Sequence, residues 1–198
     1  MPIPPLDDIG KYRTTLAHMV GETSWLPDPE TVSRVNRAIF PTVRARNGRP
    51  RFSKVTLNGN EVGMYDDNTT PTWALLWAHG ISGCNRTGWT FAHVWTAADD
   101  INAYTHLANM AMIRECFGSL TDKDGPLTSY LQWHAFSVYK WKPENAETPV
   151  KPSDFEKIKW RYFNPIRDPK SFIRQRVNEL NNERIRILRP IMINVGMI

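Results

Sequence analysis

Asn58-Gly59 stands between two runs of β-forming residues, Phe52 to Leu57 and Glu61 to Tyr65, and this arrangement constrains the chain more than any other feature it carries. A two-residue turn that matches the twist of its flanking strands needs positive φ at both central positions, which Asn-Gly supplies at low steric cost. An antiparallel ribbon is therefore predicted here, closed by Asp66 to Pro71. Upstream, Asp28-Pro29-Glu30 has the order of a helix start: cap, first-turn proline, acidic first turn. Val32, Val35 and Ile39 continue one apolar face until Pro41, and a further short helix is expected around Tyr12 to Val20. Arg44, Arg46, Arg49 and Arg51 follow in a stretch with Asn47-Gly48 and Pro50, an exposed basic loop that either contacts phosphate or faces solvent.

Beyond the ribbon, Trp73 to His79 is an apolar run that periodicity alone leaves open as buried strand or helix. Gly80, Gly83 and Gly88 mark a loop, Trp89 to Trp95 is strand-like, and Ala97 to Thr105 is polar and contains Asp99-Asp100. Leu107 to Phe117 reads as a strand or a helix start, Leu127 to Tyr139 as a helix, and Glu144 to Pro152 as a charged linker. Ser171 to Leu188 has helical character, with Phe172, Val177, Leu180, Ile185 and Leu188 apolar. Elements of both kinds in this order predict an α+β fold. A composition of 41% hydrophobic and 23% charged residues is that of a folded protein and excludes a disordered tail. No apolar run is long enough to span a membrane, and Met1-Pro2-Ile3-Pro4-Pro5 lacks the regions of a secretory signal, so a cytoplasmic protein without a membrane partner is expected. Cys84 and Cys116 are too few for a disulfide framework or a four-cysteine zinc knuckle.

A formal charge of +5 and a pI near 9.3 favour a polyanionic partner, because cations that neutralise phosphates release condensed counterions. From Lys151 to Ile198 there are eleven lysines and arginines against five acids, so this end carries the excess. Lys157, Lys159 and Arg161 alternate with Trp160, Tyr162 and Phe163, a pattern that stacks on bases or straddles a backbone, and Arg174 follows on the helical stretch. The alternative for these aromatics is docking of the tail onto the core.

The segment richest in chemistry is Gly88-Trp89-Thr90-Phe91-Ala92-His93-Val94-Trp95, followed by Ala103-Tyr104-Thr105-His106-Leu107-Ala108-Asn109-Met110-Ala111-Met112-Ile113. It resembles the HNH, or ββα-metal, endonuclease family, in which a histidine ends the first strand of a hairpin, an asparagine precedes the next apolar strand, and a following helix supplies a metal ligand. His93-Val94 and Asn109-Met110 occupy those places, sixteen residues apart. The resemblance implies that His93 is the general base, that Asn109 orients the hairpin or completes the metal sphere, and that Asp122, the strong ligand in the window from Gly118, holds a divalent ion. A hard oxygen donor suits magnesium or manganese. The family places Asp or His before the base, whereas this chain has Ala92; Asp99, Asp100 or His106 would compensate, His106 first because it is three residues from Asn109.

Phosphodiester hydrolysis needs an activated water and charge neutralisation on the phosphate, and an imidazole of pKa about 6.5 can take the water's proton. The resemblance thus implies a metal-dependent endonuclease acting on DNA, with Arg44, Arg46, Arg49, Lys157, Lys159, Arg161 and Arg174 as candidate nucleic-acid contacts. The expected layout is N-terminal helix and hairpin elements over 1–72, an HNH-like core over 73–143, and a linker with a basic helical extension over 144–198. A homodimer, as in restriction-type enzymes, is left open. The rival is a nucleic-acid-binding protein without catalysis, or a subunit of a larger DNA-processing or defence complex. His79-Gly80-Ile81-Ser82-Gly83 does not match the Gly-x-Ser-x-Gly elbow of serine hydrolases, and no phosphate-binding glycine loop is present.

Overall fold

The computed structural model describes residues 9–46, 48–122 and 125–198. Met1-Pro2-Ile3-Pro4-Pro5, Asn47 and the Lys123-Asp124 pair lie outside the described residues. Helices α1 (Ile9–Thr23) and α2 (Pro29–Val35) precede strand β1 (Thr42–Arg44), the ribbon of β2 (Lys54–Leu57) and β3 (Asn60–Asp66), and helix α3 (Thr69–Trp77). Strands β4 (Trp89–His93) and β5 (Met110–Arg114) form a second hairpin. Helices α4 (Gly118–Thr121), α5 (Thr128–Val138), α6 (Pro169–Glu179) and α7 (Glu183–Asn194) complete a mixed α+β fold. No helix among the described residues is long and apolar enough to cross a membrane.

Local chemistry sets several boundaries. The Asp28 carboxylate accepts from the Thr31 amide at 2.8 Å and starts α2, with Pro29 in its first turn. That helix does not run to Pro41 as expected: Asn36 adopts φ 47° and caps it in the left-handed conformation. The run from Trp73 to His79 resolves as helix, because α3 is covered by other elements along most of its surface. The helical stretch expected from Ser171 to Leu188 is two helices. Asp168 caps α6 through the Ser171 amide, and Asn182 starts α7 afresh by accepting from the Ile185 amide. Asn58 and Gly59 take φ of 50° and 80°, the paired positive values that the ribbon's turn requires.

The first sheet has the order β1-β3-β2, with β1 parallel and β2 antiparallel to β3. The β4–β5 hairpin lies between two cores. Alternate residues of β5 serve each: Met110 and Met112 join α2, α3, α6 and α7, while Ala111 and Ile113 join α1 and α5. Burying side chains of that size stabilises by about 1.5–3 kcal/mol each, so the hairpin is held from both faces. Trp25 exchanges backbone hydrogen bonds with Met112 at 2.8 and 2.9 Å, and Leu26 bonds to Arg161 and Phe163, so the C-terminal segment is stitched beside the hairpin.

The C-terminal part is not an appendage. Ile173, Val177, Ile185, Leu188 and Met192 belong to the same core as α3 and β5. Helix α7 is also tied to β3 by an ion pair: the Arg184 Nε lies 2.8 Å from both carboxylate oxygens of Asp66, and its Nη2 donates to Asp67 at 3.2 Å. Asp66 is 0% exposed; burial pushes its carboxyl up, and Arg184 pulls it back.

Candidate active site

Strand β4 ends at His93, paired across the hairpin with Met110, and the chain between them folds back toward the strand end. Asn109 controls that fold. Its carbonyl accepts from the Val94 amide at 2.9 Å, its Oδ1 accepts from the Trp95 amide at 2.7 Å, and its Nδ2 donates to the Ala103 carbonyl at 3.0 Å. The residue is 0% exposed, so these bonds form without competition from water. Asn109 thus pins the outgoing chain at Trp95 to the returning chain at Ala103.

Next to Ala103, Tyr104 holds the imidazole. The His93 Nε2 lies 2.9 Å from the Tyr104 carbonyl oxygen, and the two rings stack with centroids 5.0 Å apart and planes 10° off parallel. A carbonyl accepts only, so Nε2 carries the proton and, in the neutral ring, Nδ1 carries the lone pair. Burial lowers the His93 pKa and Arg44 lowers it further, against the opposing pull of the Tyr104 carbonyl and Asp122. The ring is therefore neutral at neutral pH. Tyr104 is itself anchored: its hydroxyl donates to the Asp67 carbonyl at 2.9 Å and lies 3.3 Å from Asn68 Oδ1.

His93 opens on a cleft of about 270 Å³ whose walls include Arg44, Asn68, Thr90, Gly118 and Asp122. Arg44 comes from the end of β1 and donates to Asn68 Oδ1 at 2.8 Å. Asp122 follows α4, and its amide bonds the Gly118 carbonyl at 3.0 Å. Residues distant in sequence thus surround one imidazole: a cation from the first sheet, an amide from the turn before α3, and a carboxylate after α4.

Other expected site residues lie elsewhere. His106 is buried away from the cleft, its ring stacks on Trp141 at 4.3 Å, and its Nδ1 accepts from the Ala108 amide at 3.2 Å. Burial pushes its pKa down to about 4, and it does not line the cleft. Asp99 pairs with Arg46, Asp100 accepts from the Asn102 amide, and neither lines the cleft. Among the described residues, no three His, Cys, Asp or Glu side chains come together as a metal cluster.

Of the candidate nucleic-acid contacts, Arg44 is at the cleft and Arg46 and Arg49 are on the adjoining loop, where Arg49 lies over Tyr65. Lys157, Lys159 and Arg174 are exposed but do not line the cleft. Arg161 stacks on Trp25 at 4.3 Å and donates to the Glu22 carbonyl. Phe163 is buried, and Trp160 packs against the second core, which favours docking for these two aromatics. His79 and His134 are packed histidines, bonded to the Leu75 carbonyl and the Tyr162 hydroxyl respectively.

Two contributors were not singled out from sequence. Asn68 sits in the turn that closes the ribbon, and Tyr104 in a polar loop. Their roles arise from long-range folding, and the one local signal was that Tyr104 lies within the stretch bearing His93 and Asn109. The chain matches no protein-family model, and no match was found to a curated protein or to a solved structure.

Proposed function

We propose that this chain is a metal-dependent DNA endonuclease of the HNH kind, with His93 as general base. The observation that carries the reading is the Tyr104 carbonyl at His93 Nε2, which leaves Nδ1 as the basic nitrogen of a neutral imidazole on a cleft that Arg44 and Asp122 also line. In this reading Nδ1 takes a proton from water, and Arg44 neutralises charge on the phosphate as it becomes pentacoordinate. Asn109 keeps the loop that bears the Tyr104 carbonyl in register with the end of β4.

One exposed carboxylate in a polar cleft fits magnesium or manganese, which take one or two carboxylates and complete their shells with water and phosphate oxygens. It does not fit a structural zinc site, which needs four protein ligands. Asp122 would hold such an ion, which supplies charge neutralisation at the scissile phosphate and the leaving oxygen. Ala92 leaves the position before the base without a donor, so Asp122 is the one sequence-expected ligand at the cleft. Cys84 and Cys116 are free and exposed, which supports a reducing, cytoplasmic setting.

The test is supercoiled plasmid incubated with magnesium or manganese, with and without chelator, beside His93→Ala. Wild type is expected to nick the plasmid and the variant to be slower by about 10²-fold or more. Plasmid left equally intact by both proteins with every metal would overturn the reading.

A further inference from the structure

The outer part of the β2–β3 ribbon is exposed without a break from Thr56 to Glu61. Gly63 is flush with the body of the protein, since a Cβ there would meet the Pro41 carbonyl oxygen at 2.5 Å. Beyond it toward the tip, Thr56, Leu57, Asn58, Asn60 and Glu61 are exposed, and Leu57 is 61% exposed. Leu57 is the large apolar side chain of that exposed tip.

The placement of charge around it is divided. At the cleft end of the ribbon, Arg44, Arg46, Arg49 and Arg51 gather on β1 and the loop after it, with Arg49 over Tyr65 and Arg51 over Phe52. The ion pairs of Arg46 with Asp99 and Arg51 with Asp67 are exposed, and pairs of that kind exchange readily for phosphate. Within the ribbon Lys54 pairs with Glu61 at 2.6 Å, Asp66 at its base is held by Arg184 of α7, and the tip offers amides, a hydroxyl and one aliphatic side chain. Cations at one end and neutral hydrogen-bonding groups at the other match the division of DNA contacts, where phosphate contacts position and base-edge contacts specify.

Resting on the nuclease reading, we propose that the β2–β3 ribbon reads base edges in the major groove of duplex DNA. A major groove about 12 Å wide admits a two-stranded ribbon. Asn60 to Asp66 spans roughly 20 Å at about 3.4 Å per residue, and Asn68 at the cleft follows directly. A second copy of the chain is the other occupant an edge strand could take. The features of β2 oppose it: the charged Lys54, and an irregular register between Val55 and Thr56 that twists the free edge away from regular pairing.

The test is selection from a randomised duplex library by the full chain in the presence of chelator, so that binding is read without cleavage. The combined variant Leu57→Thr, Asn58→Gly, Asn60→Ala keeps a turn residue that accepts positive φ, and its folding is checked by thermal unfolding. Wild type should enrich a sequence motif, and the ribbon variant should lose the preference by about tenfold or more while its salt dependence stays the same. Arg49→Ala with Arg51→Ala should instead weaken binding to all sequences and keep the motif. The proposal is overturned if the ribbon variant enriches the same motif, if wild type enriches none, or if sedimentation shows a wild-type dimer that the variant lacks. Loss of nicking in the plasmid assay would remove the nuclease reading separately, since the selection does not depend on cleavage.

Discussion

Replacing Asn109 by Ala removes two side-chain hydrogen bonds while leaving the backbone bond to Val94 in place. The Trp95 amide then faces a dry interior, which costs about 1–3 kcal/mol, while the Ala103 carbonyl keeps the His106 amide at 3.2 Å and loses one bond of about 0.5–1.5 kcal/mol. Their sum, reduced by local relaxation, gives a loss of about 3 kcal/mol. Domains are stable by about 5–15 kcal/mol, so the variant still folds. For a chain of this size the melting temperature should fall by roughly 6–12 °C. The released loop carries Tyr104, whose carbonyl fixes His93, and a displaced imidazole should slow nicking by about tenfold or more. Calorimetry and plasmid nicking on the same preparations read both effects. Unfolding energy within about 0.5 kcal/mol of wild type would show that Asn109 does not pin the loop, and unchanged turnover would remove it from the site.

Tyr104→Phe deletes the hydroxyl that bonds Asp67 but keeps the ring stacked on His93, so a loss of about 1 kcal/mol in stability and a several-fold loss in kcat with KM unchanged are expected. A fall in KM alone would contradict a positioning role. Arg184→Met strands the buried Asp66 carboxylate and should cost about 3–5 kcal/mol in denaturant unfolding, whereas Arg184→Met with Asp66→Asn should recover part of it. No recovery in the double variant would refute the pair. Burial also holds the His106 pKa near 4 and the His134 pKa near 3. Above about pH 6.5 both rings are neutral whether folded or unfolded; as pH falls toward those lowered values the unfolded chain takes up protons that the fold refuses, so stability declines. Each histidine should remove about 1.5 kcal/mol between pH 6.5 and 5, and a flat stability curve over that range would contradict the burial of both.

Local chemistry made the ribbon legible, because Asn58-Gly59 dictates the same backbone in any context that tolerates a hairpin. The start of α2 and the strand ending at His93 were legible for the same reason. The end of α2 was not: Val32, Val35 and Ile39 share a helical period, yet Asn36 turns left-handed and Ala38 pairs with His106 instead. The C-terminal helices read as a basic extension because their arginines dominate the composition, while the few apolar residues between them do the packing. His93, Asn109 and Asp122 were singled out through the resemblance to the HNH family, and the fold puts His93 and Asp122 on one cleft with Asn109 bonded to the loop behind it. Arg44 was legible only as a basic loop residue and Asn68 not at all, since sheet pairing and the turn before α3 bring them to His93. His106 was expected beside Asn109 from proximity in sequence, which said nothing of the Trp141 ring that stacks on it away from the cleft.

The most direct test of a proton-accepting His93 is the rate of plasmid nicking against pH at saturating magnesium. Burial and Arg44 lower the His93 pKa, and the base works unprotonated, so the wild-type rate should hold as pH falls past 6.5 and drop only below it. His93→Ala should abolish that limb along with most of the rate. A variant that keeps the wild-type rate and the same acid limb would contradict the assignment.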